Sequence, residues 1–421
     1  MNRFIEVFKI KDLRKKILIV AGILIFYRLL AAIPIPKVDI IKLQDFFSQN
    51  QIFGFLNLLS GGGLSNLSIV MLGVGPYITA TIIMQLLTIV FPRIKEIYYE
   101  QGAQGQAKFN QYARLLTVPL AALQAYGFLA LLSSQGVIDK PVGFDAIINV
   151  VVIVTGSIIA LWFGELISEQ KIGNGISLII LAGILSSLPN AVRSAILVYD
   201  SSNLFSYIIF IAIFILIILG VVYLNEGERK VPVIYAKRVR GMKMYGGAQS
   251  YLPLKVNQAG MIPLIFAISV MLFPQFIAQT TMIFSRDLGM KLNDLVNSFL
   301  ANQLLYGIVY FILVFIFTYF YSAITFNPEE ISKNLQRAGG FIPGIRPGGN
   351  TTQFFKKLMN KTTFFGALFL GIVAVLPLII EKITGISALH ISGTSLLIVV
   401  AVILDLVRQI NSQFTIREYS Y

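Results

Sequence analysis

The stretch Gly54–Thr88, GFLNLLSGGGLSNLSIVMLGVGPYITATIIMQLLT, decides how this chain is read. It opens on a short apolar segment, Gly54–Leu59, too short to cross a bilayer. Three glycines, Gly61–Gly63, supply a hinge, and the apolar run from Leu67 onward is long enough to span. A half-length piece, a hinge and a full span make a broken membrane helix. Irregular backbone at membrane depth survives only where protein buries it or where it lines a water-filled cavity. The stretch therefore predicts a cavity or pore, with the short piece seated in it.

The rest of the composition agrees with a membrane setting. Of 421 residues, 56% are hydrophobic and 13% charged, and mean hydropathy is +0.77. A soluble fold could not hide that much apolar surface. The net charge of +14 reads first as topology and then as a partner signal. The chain has no cysteine, which excludes disulfides and thiolate chemistry, and its one histidine, His390, argues against a histidine-based metal site or proton relay. No cofactor is expected. Lys9, Lys11, Arg14, Lys15 and Lys16 precede a full-length apolar run that ends at Pro34 and Pro36 without a small-residue cleavage pattern. This run reads as a first transmembrane helix, not as a cleaved signal.

Ten apolar runs of spanning length lie at about 17–36, 67–91, 113–133, 147–167, 175–197, 204–224, 257–279, 303–326, 363–381 and 391–409, with a half-element at 52–60. With both termini cytoplasmic, 26 of the 34 Lys and Arg fall in cytoplasmic segments and 7 in outer loops. That asymmetry sets the orientation. Two cytoplasmic loops, 225–256 and 327–362, are too long and too basic to be simple connectors, and long ordered loops usually carry function.

An internal echo divides the chain into halves 1–200 and 201–421. Pro76-Tyr77-Ile78 in the second span answers Pro263-Leu264-Ile265 in the seventh, and Gly175-Ile176-Ser177-Leu178-Ile179-Ile180 in the fifth answers Gly393-Thr394-Ser395-Leu396-Leu397-Ile398 in the tenth. Five spans per half is an odd number, so the halves run in opposite senses, and inverted repeats place their working site at the interface between them. The fold class expected is an all-α polytopic membrane protein of ten transmembrane helices in two inverted five-helix halves.

Ile78 and Ile82 sit four apart on one helix face, as do Ile176 and Ile180; Ile265 and Ile398 hold the echo positions. Facing one another, such side chains would close a pore by dewetting. The same spacing also suits ordinary contact with lipid or a neighbouring helix. Gln85, Thr88, Gln124, Asn257 and Gln258 are polar groups within or at the start of spans. Each interhelical bond they make is worth only about 0.6–2 kcal/mol, which suits either a seam that opens or permanent glue. Arg28 is the clearest charge inside a span; Glu165, Glu381 and Asp405 lie near span ends. That scarcity of buried acids weighs against ion-coupled transport. Lys237, Arg238, Arg240 and Lys243 cluster beside Tyr235 and Tyr245, a patch suited to anionic headgroups or RNA phosphate. In Gly344-Ile345-Arg346-Pro347-Gly348, turn residues hold one arginine at a loop tip, which reads as a docking contact. The Gly61–Gly63 run lacks the Gly-Lys-Ser/Thr of a phosphate-binding loop.

Eight ordered motifs resemble the SecY family, the large subunits of the bacterial protein-conducting channel, over essentially the whole chain. They are Ile33-Pro34-Ile35-Pro36, Leu58-Leu59-Ser60-Gly61-Gly62, Leu72-Gly73 with Pro76-Tyr77-Ile78, Gly173-Asn174-Gly175-Ile176-Ser177, Tyr235-Ala236-Lys237-Arg238, Leu252-Pro253-Leu254-Lys255-Val256-Asn257, Gly344-Ile345-Arg346-Pro347-Gly348 and Gly393-Thr394-Ser395-Leu396-Leu397-Ile398. The resemblance implies a clamshell around an hourglass pore, with a plug helix at about 53–65 that includes Phe53, Gly54, Phe55, Leu56, Leu58, Leu59, Gly61, Gly62 and Gly63. It places Ile78, Ile82, Ile176, Ile180, Ile265 and Ile398 on the pore ring. Thr88, Gln124, Asn257 and Phe273 fall on the lateral gate, through which signal sequences and membrane helices leave for lipid. Lys237, Arg238, Arg240, Lys243 and Arg346 fall on the docking surface for the ribosome and the SecA ATPase. Where many relatives carry paired arginines after Gly241, this chain has Met242 and Lys243, one cation in place of two.

The expected function is that of a passive, non-enzymatic channel for secretory and nascent polypeptides, working with SecE and SecG subunits in a bacterial cytoplasmic (inner) membrane or, alternatively, a plastid thylakoid membrane. An ion-coupled secondary transporter with an inverted-repeat fold is the reading from a different class.

Overall fold

The computed structural model describes residues 10–35, 62–64, 66–99, 101–134, 138, 144–197, 204–235, 238–240, 243–245, 249–384 and 393–418. In chain order the helices are α1 (Lys11–Ala32), α2 (Gly75–Val90), α3 (Pro92–Tyr99), α4 (Gly102–Ser134), α5 (Phe144–Glu169), α6 (Gly175–Leu197), α7 (Leu204–Glu226), α8 (Ile262–Phe284), α9 (Arg286–Ala301), α10 (Gln303–Thr325), α11 (Pro328–Arg337), α12 (Gly349–Thr384) and α13 (Gly393–Glu418). Ten of these stand at the ten positions predicted for spans. Among the described residues, four segments carry an apolar window long enough to cross a bilayer: Gly102–Ala130, Phe144–Glu169, Gln303–Arg337 and Gly349–Leu376. A fifth arises if α2 and α3, which meet at a bend of 115°, form one broken span.

Local chemistry sets the helix ends. Pro76 and Pro263 sit in the first turns of α2 and α8, where a missing N–H costs no helix bond. Asn327 caps α11: its Oδ1 accepts from the amides of Glu329 (3.1 Å) and Glu330 (3.4 Å), and the two carboxylates favour the positive helix end.

The run 67–91, expected as one continuous span, is helical only from Gly75. Residues 66–74 form a chain of tight turns: Met71 N donates to Ser68 O, Gly73 N to Val70 O and Gly75 N to Leu72 O. Leu67 and Gly73 both have positive φ, 40° and 50°, which an α-helix cannot accommodate. This irregular backbone is nonetheless satisfied and buried. Ile35 N donates to Leu67 O (2.8 Å) and Ile69 N to Ile33 O (3.1 Å), a short bridge to the end of α1. On its other side lies α5, so close that a Cβ on Gly156 would sit 2.0 Å from the Ile69 carbonyl oxygen.

The helices form two groups. Helix α1 packs on α5 and α6, and α2 on α4; α10 packs on α12, and α7 on α13. The groups meet on two sides: α8 lies against α2 and α4, and α13 lies against α6. Between these contacts runs the main apolar cluster, drawing from α1, α2, α5, α6, α7, α8, α10, α12 and α13.

The two long loops add a small sheet to the helical fold. Strand β1 (Glu228–Tyr235) precedes the short pair β2 (Arg238–Arg240) and β3 (Lys243–Tyr245), followed by β4 (Gln249–Lys255); β5 (Gly340–Phe341) comes from the second loop. The sheet order is β4-β1-β5, with Glu228 opposite Lys255 and Ile234 opposite both Gln249 and Phe341. Val231, Val233, Leu254, Phe326, Leu335, Ile342 and Phe355 form a core beneath it. The loops are thus one shared body, each too short to bury an apolar face alone.

Candidate functional site

The six isoleucines come from both helix groups: Ile78 and Ile82 from α2, Ile176 and Ile180 from α6, Ile265 from α8 and Ile398 from α13. Ile78, Ile82, Ile180, Ile265 and Ile398 are buried in the main apolar cluster, and half-buried Ile176 packs against it. Ile82 and Ile180 are almost wholly removed from solvent, at 1% and 0% exposure. Ile78 and Ile265 are each the fourth residue of their helices, α2 and α8; Ile180 and Ile398 are each the sixth of theirs, α6 and α13.

The polar residues of the seam make their hydrogen bonds on their own sides. Thr88 Oγ1 donates to the carbonyl of Gln85 at 2.7 Å. Asn257 Nδ2 donates to Asn225 Oδ1 (2.9 Å) and Gly260 O (3.2 Å), while its Oδ1 accepts from Gly260 N (3.1 Å). Gln124 is buried on α4 and Phe273 is half-buried on α8. Gln85 Oε1 and Gln258 Oε1 are buried with no hydrogen-bond partner. Such orphaned acceptors cost free energy in the packed arrangement, so this seam is weaker than an apolar one of equal area.

One tie here escapes sequence reasoning. Arg408 of α13 pairs with Glu226 at the end of α7 (2.9 Å) and donates to the carbonyl of Asn225, the residue that holds Asn257. It links the middle of α13 to the segment that leads into α8. No spacing rule connects residues 182 positions apart, and Arg408 stands mid-helix, away from any terminal signal. A second ion pair joins Arg114 of α4 to Glu165 of α5, so one of the acids placed near a span end is neutralised there.

Of the plug residues, Phe53, Gly54, Phe55, Leu56, Leu58, Leu59 and Gly61 lie outside the described residues, as does His390. Gly62 and Gly63 are described and buried. Gly62 has φ +83°, and a Cβ there would lie 2.8 Å from Arg28 Nη1, so the charge within α1 faces this backbone. The Gly63 carbonyl accepts from both the amide and the hydroxyl of Ser68, each at 2.9 Å. Together these contacts fix the point where the hinge enters the bundle.

The basic residues lie on the loop body. Arg346 is exposed at a tip bounded by Gly344 (φ +80°) and Gly348 (φ +102°). The tip is pinned from behind: Thr351 Oγ1 donates to the Arg346 carbonyl (3.1 Å) and Ser332 Oγ to the Gly348 carbonyl (3.0 Å). Arg238, Arg240 and Lys243 belong to the β2–β3 pair, with Arg240 opposite Lys243; Lys237 lies outside the described residues.

This fold and site define a class: a polytopic helical membrane protein whose two helix groups close around buried apolar residues and carry a basic body at one end. A family model described as SecY matches residues 68–407. The chain is 41% identical over 440 residues to the protein translocase subunit SecY of Mycobacterium tuberculosis (strain ATCC 25618 / H37Rv), covering 100% of this chain and 99% of that protein. It belongs to the SecY family. Two solved structures share the fold. One, 21% identical with TM-score 0.64 over 93% of this chain and 90% of that one, concerns the plug domain of the SecY protein, which stabilises the closed state of the translocation channel. The other, 19% identical with TM-score 0.63 over the same shares, is Sec61 in the canine ribosome-channel complex from the endoplasmic reticulum.

Proposed function

We propose that the chain is the channel subunit of a protein translocase: a passive pore for secretory polypeptides, with a lateral exit for membrane helices. The observation that carries this reading is the burial of Ile78, Ile82, Ile180, Ile265 and Ile398 in one apolar cluster, on four helices that meet in pairs across the seam, α2 with α8 and α6 with α13. An aliphatic ring there excludes water and ions at rest and yields to a passing chain without selecting its sequence. The halves 1–200 and 201–421 act as the two jaws. Residues 53–65 act as a plug, which the hinge at Gly62 and Gly63 supports. The contact of α8 with α2 and α4 is the lateral gate, lined by Thr88, Gln124, Asn257 and Phe273. A hydrophobic signal helix would wedge it, favoured by about 25 cal/mol per Å² of apolar surface buried.

Arg346 with Lys237, Arg238, Arg240 and Lys243 forms the docking surface for the ribosome and the SecA ATPase, which supply the energy. The channel works with SecE and SecG in a bacterial inner membrane, with both termini cytoplasmic. The excess of Lys and Arg in the loops of that side supports the orientation.

The absence of cysteine makes a direct test available. Ile180→Cys is paired with a secretory polypeptide that carries its own single cysteine and is stalled partway across. A disulfide whose formation tracks the stall position is the expected result. No disulfide, while a control cysteine beside Arg346 still meets the ribosome or motor, would mean docking without conduction at this ring.

A further inference from the structure

Helix α9 was not anticipated from the sequence, and its surface divides into three sectors. Gly289 is buried, and Asn293, Val296 and Leu300 are partly covered; Leu300 and Phe299 pack on the main cluster. Asp287, Lys291, Asp294 and Ser298 are exposed and polar. Between these faces, Leu288, Leu292 and Leu295, spaced i, i+4 and i+7, form an apolar stripe that is 57%, 36% and 68% exposed. Protein lies on one flank of the stripe and a polar face on the other.

The helix cannot move away from the bilayer. Ser285 alone separates it from α8 and Asn302 alone from α10, and it packs on both. It lies at the end of these helices opposite the sheet, since β4 leads into α8 and α10 leads into α11 beside that body. Beyond Asn302 the first turns of α10 are apolar and exposed as well, with Leu304, Leu305 and Ile308 at 63%, 43% and 53%.

We propose that α9 lies in the plane of the membrane–water interface, with Leu288, Leu292 and Leu295 immersed among lipid acyl chains. Apolar burial holds it there, because Arg286, Asp287, Lys291 and Asp294 sum to zero charge and offer no net attraction to anionic headgroups. The placement stands independently of the channel reading. Its consequence rests on that reading: the outer end of gate helix α8 is kept at the level of the bilayer surface, so that α8 moves sideways rather than along the membrane normal.

The test uses the intact membrane complex in phosphatidylcholine vesicles, with and without phosphatidylglycerol. Leu292→Cys and Asp294→Cys are each labelled with an environment-sensitive fluorophore. The expected result is blue-shifted emission at Leu292, quenched several-fold more by chain-attached lipid nitroxides than at Asp294. Iodide shows the reverse preference, and both patterns are unchanged by phosphatidylglycerol. Equal iodide access at both positions would overturn the placement. Shielding of Leu292 from both quenchers would overturn it too, because protein would then cover the stripe. Interfacial labels combined with failure of the Ile180 crosslink would leave this placement intact and remove only its consequence for the gate.

Discussion

Ile180 and Ile398 are each the sixth residue of a helix that opens on glycine, and both are buried in the same apolar cluster although they come from opposite helix groups. Helices α6 and α13 touch across the seam between those groups. An apolar barrier here has no polar atom to hold water, so replacing its members with amides should wet it. The double variant Ile82→Asn with Ile180→Asn should raise resting ion conductance in planar bilayers and relax discrimination against defective signal sequences. Unchanged conductance together with unchanged export of defective-signal substrates would remove both positions from the ring.

Gln85 Oε1 of α2 is buried without a hydrogen-bond partner. Gln85→Leu removes an unsatisfied acceptor whose burial costs about 1–3 kcal/mol. The closed form should gain stability, read as a higher Tm in membranes. Export of substrates with weak signals should fall more than export of substrates with strong ones. A lower Tm would mean that the amide has a partner in the membrane.

Arg346 is exposed on a pinned tip, so its loss should leave folding intact, within about 0.5 kcal/mol. Hydrogen bonds to charged groups contribute about 1.5–3 kcal/mol, or roughly tenfold to a hundredfold in affinity. Arg346→Ala should therefore weaken ribosome or motor binding by at least about tenfold at unchanged Tm. Equal affinity in sedimentation assays would move the docking contact elsewhere on the body.

Phe355 is fully buried beneath the sheet that joins the two loops. Phe355→Ala should cost about 3–5 kcal/mol of local stability. Because the loops share one core, limited proteolysis should speed up in 225–256 as well as in 327–362. Faster cleavage confined to the second loop would show that the first stands alone.

Gly156 lets α5 touch the turns at 66–74, with a Cβ there only 2.0 Å from the Ile69 carbonyl oxygen. Gly156→Ala must displace backbone, and overpacking of this kind typically costs about 1–3 kcal/mol. The displaced segment leads directly into α2, so a lower Tm should come with a leakier resting state. A neutral effect on both would mean that α5 shifts without moving the turns.

The sequence by itself determined the class of protein and the approximate places of ten helices, though not where several of them begin. Run length and Lys/Arg asymmetry are local quantities, and a bilayer reads them directly. Even the interrupted run at 175–197 appears as a helix with those bounds, Pro189 included. The echo of proline and glycine openings also singles out Ile78, Ile180, Ile265 and Ile398, which the structure buries in one apolar cluster. The tertiary structure alone decided the rest. In a membrane both the lipid face and the core are apolar, so hydropathy cannot say which isoleucine meets another helix and which meets lipid. The turns at 66–74 read as part of a span because Leu67, Val70, Met71, Leu72 and Val74 are as apolar as any helix. It is the bridge to α1 and the contact with Gly156 that let them be irregular while buried. The pairing of β1 with β5 and the tie of Arg408 to Glu226 join segments more than a hundred residues apart. Periodicity carries no information across such distances; only packing within the second helix group, α7 on α13 and one loop on the other, brings those partners together.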